Sequence, residues 1–441
     1  MTPDHSRVPP GTDVAIVGAG IAGLVTADRL GTRGIDAVVL EAADRVGGRL
    51  MARTSVLGSA VDLGGQWIGH GHHRFEELAD ELGARRFPMH SPGTPAMVTA
   101  VGPISATNPS MLAATVGLLG FEVASRLPER DTWTTTSVRE WIDRIPSRRA
   151  RRIVDVIVAV TCCADTSTLS IAAFLRLIRF QGGLSTMMKT TGGAQDALVV
   201  EGAGALAERL AHRLGDRVHT GVRVTAVDQT DRGVTVATPT TTIRARRVVI
   251  AVPPPMAARI AFRPPLPDNR VRSHHNTRMG EVYKAIAVYE TPFWRQRRDA
   301  EAIMLGTPGC AVFDTTPPDG PGHLTMLVGG ADAARIGQLS VGRRRETLLD
   351  HLEPHLGREV RRPAGWYDKV WHHDPYVGGG YASLPVMGTR EGYYPVEHTP
   401  AGRIHWAGTE TAAEHAGYVE GAIESAERVV TELVRTLGET G

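Results

Sequence analysis

Between Asp13 and Glu41 the chain reads DVAIVGAGIAGLVTADRLGTRGIDAVVLE. Val14, Ile16 and Val17 make a short buried strand, and Gly18, Gly20 and Gly23 follow at the G-x-G-x-x-G spacing, with Ala19 between the first two. Each glycine has its own task. Gly18 permits the tight turn, Gly20 lets the backbone approach a pyrophosphate, and Gly23 lets helix and strand pack closely. Ala27 and Gly34 complete the packing face, and the phosphates would sit at the positive end of the helix. Glu41 ends the next strand, where it can accept hydrogen bonds from an adenosine ribose. Glycines also cluster in ordinary turns, but here strand, helix and acid are all in place, so the segment reads as a dinucleotide-binding unit.

That unit does not separate NAD from FAD. The Gly47-Gly48-Arg49 that follows helps, because the glycines let the chain pass close to a cofactor while Arg49 can neutralise diphosphate charge. A second glycine-rich stretch, DLGGQWIG at 62 to 69, lets backbone approach a flat ring at Gly64, Gly65, Gln66 and Trp67. Near the C-terminus comes WAGTETAAEHAGYVEGAIESAER, 406 to 428. Together these stretches resemble the flavin-containing amine oxidase family. The resemblance implies FAD, with Glu41 at the adenosine end and Arg49 at the diphosphate. It also implies cofactor contacts from Val224, Trp371, Gly408, Glu410, Tyr418 and Val419.

A chain of 441 residues exceeds one ordinary core and suggests two domains. The expected fold is α/β: a discontinuous FAD-binding Rossmann-type domain made of 11–86, 200–273 and 374–436, with a mixed α+β substrate-binding domain made of 87–199 and 274–373. Charged residues are 22% of the chain and the net charge is +2, so no large basic face for nucleic acid is implied. Three cysteines, Cys162, Cys163 and Cys310, form no disulfide framework and lack zinc-ligand spacing, so they read as buried structural thiols. The N-terminus has no signal-peptide core. The most apolar helix candidate, 111 to 127, is interrupted by Glu122 and Arg126 and is short for a bilayer. With no tail like the membrane anchor of the mitochondrial relatives, the chain is expected to be soluble and cytoplasmic.

The resemblance covers nearly the whole chain and carries roles to single residues. MGEVYKAIAVYETPFWR, 279 to 295, resembles the strand whose lysine holds a water near the flavin, which makes Lys284 that residue. A lysine among Val282, Ile286 and Val288 would be desolvated and needs a partner; the plainer alternative is a lysine reaching solvent from an edge strand. WHHDPYVGGGYASLP, 371 to 385, resembles the segment passing the flavin, with Tyr381 as one wall of an aromatic cage and Tyr418 as the other. Mitochondrial relatives carry a cysteine linked to the flavin at the position of Gly380, so FAD is expected to be held non-covalently here. Gln195 matches a substrate-facing glutamine, and Leu177, Phe180 and Met188 are expected to line the substrate cavity.

The chemistry implied is oxidation of an amine with a hydrogen on its α-carbon, docked between the two tyrosines. The product is an imine, hydrolysed to an aldehyde or ketone, with dioxygen reduced to hydrogen peroxide. The partners are thus a small-molecule amine and dioxygen, with a homodimer allowed and neither nucleic acid nor a membrane anchor expected. Gln66 and Trp67 follow Gly64-Gly65 where amino acid oxidases often place a carboxylate-binding arginine, which favours amines over amino acids. His70, His72, His73, His372 and His373 lack a supporting carboxylate pattern, and no metal is expected. Two other readings stay open: a flavin enzyme acting on carbon–carbon bonds, and a non-catalytic flavoprotein.

Overall fold

The computed structural model describes residues 8–92, 96–99, 102–296 and 302–438. An eight-stranded sheet holds the dinucleotide motif. At its centre Gly11–Val17 runs parallel to Ala37–Leu40 on one side and to Thr242–Ile250 on the other. Val14 to Val17 and Ala37 to Leu40 are all buried, as expected of parallel strands covered on both faces. Thr242–Ile250 is long enough to serve two partners on its far edge. Its first half pairs antiparallel with Gly233–Ala237, and its last three residues pair parallel with Ile404–Trp406. The sheet is therefore assembled from three regions widely separated along the chain.

Two helices lock this arrangement. Ile21–Gly31 starts at Gly20, and its apolar face packs with that of the final helix, Val419–Gly438, through Leu24, Ala27, Ile423 and Val430. A third, Ala203–Leu214, is capped from a distance. The Asp62 carboxylate accepts from the backbone N–H groups of Ala203 (2.8 Å) and Gly204 (3.0 Å), where the helix dipole favours negative charge.

The second sheet has seven strands in the order Gly365–Val370, Val282–Tyr289, Gly322–Gly329, Gly309–Asp314, Ala302–Gly306, Ala96–Thr99 and Gly102–Pro103. All eight residues of Val282–Tyr289 are buried, and the strand lies between two neighbours. Lys284 is therefore not on an edge strand. The helices Pro109–Ser125, Arg148–Cys162 and Ile171–Phe180 gather over this sheet; the side chains of Asn108, Ser147 and Ser170 each accept a backbone N–H from the first turn that follows.

The region from 87 to 199 is mostly helical and contributes a few short strands as well. Arg86–Pro88 pairs with Ala197–Val199, and Ala96–Thr99 joins the second sheet parallel to Ala302–Gly306. Such short pairings leave little trace in a sequence, because each strand is completed by a partner more than a hundred residues away. Among the described residues no helix is long and apolar enough to cross a membrane.

Candidate active site

A cavity of about 770 Å³ runs from the glycine turn, past Lys284, into the space between the second sheet and the helices above it. At its first end lie Gly18, Gly20, Glu41 and Val224, then Gly64, Gly65, Gln66, Trp67, Trp371, Gly408 and Val419. Gly20 has an ordinary φ of −69°, and a Cβ placed on it would meet no heavy atom within 4 Å. The backbone thus leaves an open cradle at the helix N-terminus, which suits a pyrophosphate. Gly18 and Gly23 differ: they are glycines for the protein's own packing. A Cβ on Gly18, at φ +105°, would come 2.8 Å from Val252 Cγ1, and one on Gly23 would come 2.0 Å from the Gly18 carbonyl. Gly23 and Ala19 do not line the cavity; the Ala19 N–H donates instead to Glu41 Oε2 at 2.8 Å, and Ala43 N–H to Oε1 at 2.8 Å. Those two bonds orient the Glu41 carboxylate, whose pKa burial raises.

Arg49 lines the cavity with a different engagement from the one expected. Its guanidinium forms a bidentate pair with Glu410, Nη1 to Oε1 at 2.6 Å and Nη2 to Oε2 at 2.9 Å, and Nη1 also donates to the Tyr381 carbonyl at 2.8 Å. Much of its charge is balanced inside the protein, so free positive charge for a diphosphate is reduced. Glu410 lies behind the cavity wall, 1% exposed, and its Oε1 also accepts from the Ser383 N–H. The pair ties the last flavin-side segment to the first.

Lys284 lines the cavity and is 2% exposed. Its ammonium donates to the Gly64 carbonyl at 2.8 Å and to Gln66 Oε1, and lies 5.5 Å from the centre of the Trp67 ring. Two of its three N–H groups are thereby committed, leaving one for a group inside the cavity. Burial pulls the lysine pKa down, and the nearby Asp62 carboxylate partly restores it. Burial pushes Asp62 up in turn, with Lys284 and the two helix N–H groups opposing the shift. Gln66, 3% exposed, spends its oxygen on Lys284 and leaves Nε2 as a buried donor without a partner in the protein. A donor of that kind beside an anchored lysine fits the polar edge of a flavin.

Both tyrosines reach this cavity. Tyr381 lies deep in the protein, so its 36% exposure is to the cavity; its hydroxyl has the Cys163 thiol as a hydrogen-bond partner. Tyr418 is fixed by its backbone carbonyl, which accepts from Thr409 Oγ1 at 2.8 Å, and by the buried His72 ring 5.0 Å away. Burial raises both phenol pKa values, keeping the rings neutral. His72 Nδ1 accepts from the Gly69 N–H, and burial lowers its pKa to about 3, so it stays uncharged. Among the described residues no group of three or more His, Cys, Asp or Glu side chains could hold a metal ion.

Leu177, Met188 and Gln195 line the far end, together with Met111, Leu118, Ile157, Met187 and Met304. Phe180 is not among the lining residues; its ring packs 5.7 Å from that of Tyr394. Leu177 and the residue four further on, Gln181, share the cavity face of the helix end, which turns Phe180 aside. Sequence reading missed Gln181; its position one turn after Leu177 was the available signal.

The chain belongs to the flavin containing amine oxidoreductase family, whose sequence pattern matches residues 21–434. It is 31% identical to flavin-containing amine oxidase B of Canis lupus familiaris and 30% identical to that of Homo sapiens, in each case over 97% of this chain and 87% of the relative. The structure of cyclohexylamine oxidase from Brevibacterium oxydans superimposes with a TM-score of 0.92 at 26% identity, covering 97% of this chain and all of that one. Wild-type putrescine oxidase bound to putrescine gives 0.86 at 28% identity, covering 96% and 99%. The protein is thus a flavin-dependent amine oxidoreductase of mixed α/β, Rossmann-type fold.

Proposed function

We propose that the protein is an FAD-dependent oxidase that converts an amine to an imine, later hydrolysed to an aldehyde or ketone, and reduces dioxygen to hydrogen peroxide. The observation that carries this reading is one continuous cavity joining the Gly20 cradle to Lys284, Tyr381 and Tyr418. The names of the amine-oxidising structural relatives support it. Bound FAD would supply the redox chemistry, taking two electrons from the amine and passing them to dioxygen. The Gly20 turn, Glu41 and Gln66 would hold the cofactor. Tyr381 and Tyr418 would orient the amine nitrogen by shape and π density, and Lys284 would hold a water or a proton at the ring. The test is flavin bleaching under anaerobic conditions by an amine panel, followed by peroxide formation on admitting oxygen. Bleaching by a polyene or porphyrinogen alone, or by none of these compounds, would overturn the reading.

The attachment of FAD is proposed to be non-covalent. Gly380 offers no thiol, and a Cβ there would already come 3.2 Å from Val282 Cγ1. Cys162 also lines the cavity, but burial raises its thiol to about 12, which suppresses the thiolate needed for attack. Acid precipitation is expected to release FAD into the supernatant. Yellow colour retained in the washed pellet would contradict this.

A further inference from the structure

We propose that the substrate is a monoamine with a bulky, uncharged hydrocarbon body, whose nitrogen donates a hydrogen bond to Gln181; this rests on the amine-oxidase reading above and narrows it. Two observations lead there. The first is where charge lies in the cavity. Among the described residues every charged group on its walls belongs to the dinucleotide-binding side, as Glu41, Arg45, Arg223 and Asp374 do, or is Lys284. Beyond Lys284 the walls are methionine, leucine, isoleucine and other neutral side chains, Met111, Leu118, Ile157 and Met304 among them. An ammonium group at the far end of a substrate would leave water there with no carboxylate among the described lining residues to meet it, and a buried unpaired cation is strongly disfavoured. A hydrocarbon body gains from the same walls.

The second observation is a buried polar atom aimed into this space. Gln181, 8% exposed, donates Nε2 to the Ala416 carbonyl, which fixes the orientation of its amide. Its Oε1 is then a buried acceptor with no partner in the protein, on a side chain that lines the cavity. Ala416 lies two residues before Tyr418, and a Cβ placed on Gly417 would come 3.8 Å from Gln181 Nε2, so this amide stands beside the segment that carries the tyrosine wall. An amine N–H is the complementary group. The glutamine carries no charge, so its oxygen can accept from the neutral amine, the form that can be oxidised, but supplies no counter-charge for an ammonium. The apolar body then extends away from the tyrosines toward Leu118, Ile157 and Met304.

The experiment compares hexylamine with 1,6-diaminohexane, which match in length and differ in one terminal charge at pH 8. Anaerobic reduction of the holoenzyme's flavin is followed by stopped flow. Hexylamine is expected to be favoured at least about 100-fold in kred/Kd, roughly the ratio for an unpaired charge in an apolar pocket. In Gln181→Met, which keeps volume and removes the acceptor, apparent Kd for hexylamine is expected to rise about tenfold while the limiting reduction rate and FAD content change less. Equal or faster reduction by the diamine would overturn the substrate class while leaving amine oxidation intact. An unchanged Kd in Gln181→Met would remove the glutamine from recognition. Failure of every amine in the panel to bleach the flavin would overturn the amine-oxidase reading and this inference together.

Discussion

Gly20→Val is expected to fold normally and to purify with little flavin. The backbone at Gly20 is in a region open to any residue, and the added side chain would meet no protein atom, only the space of the cradle. The cost therefore falls on the cofactor. Affinity for FAD should drop by at least about tenfold, ~1.4 kcal/mol or more, while far-UV circular dichroism and the thermal midpoint match those of wild type stripped of FAD. Alanine at Gly18 or Gly23 should behave differently, losing folded protein as well, because there the new Cβ strikes the Val252 side chain or the Gly18 carbonyl. Full flavin occupancy in Gly20→Val would show that no phosphate sits at this turn.

Lys284→Met is expected to slow reoxidation of reduced flavin by oxygen by on the order of 100-fold, ~2.7 kcal/mol of transition-state stabilisation. Methionine keeps the length of the side chain and removes the charge held by Gly64 and Gln66. Amine affinity should change less than about threefold, since apolar residues and the tyrosines make that end of the cavity. The pH dependence gives a second readout. Burial lowers the lysine pKa, so the ammonium loses its proton below the ordinary lysine range. If the charge assists the reaction, the wild-type rate falls as pH rises through that lowered pKa, and the methionine variant lacks this limb. Matching rates and pH profiles in the two proteins would leave Lys284 with a structural role alone.

The parts of the site that could be read from sequence are those whose reasons are local. Gly18, Gly20, Gly23 and Glu41 lie within one strand-turn-helix-strand unit, where each glycine answers a requirement a few residues away. Lys284 announced itself as a cation inside an apolar strand, and the strand proved to be central, which excludes the solvent-reaching alternative. What the sequence did not show lies where a partner is distant or a rotation matters. The ion pair of Arg49 with Glu410 joins residues 361 apart, and nothing near Arg49 signals it. The stripe of Ile171–Phe180 is apolar on the faces toward the core and toward the cavity alike, so sequence could not separate Leu177 from Phe180. The burial of the Gln181 amide has no local signal, because the Ala416 carbonyl that holds it lies 235 residues away.

The three-region construction of the eight-stranded sheet bears on how the protein is made. The turn that would cradle the pyrophosphate leaves the ribosome long before the strand Ile404–Trp406 and the helix Val419–Gly438. Until they arrive, Leu24 and Ala27 have no Ile423 or Val430 to pack against, and Arg49 has no Glu410. Closure of the sheet waits on pairings between ends of the chain, whose loop-closure cost is met late. Tight retention of a cofactor is therefore expected only once the segment from residue 404 onward has been made. Nascent chains halted before residue 404 should hold FAD weakly or not at all.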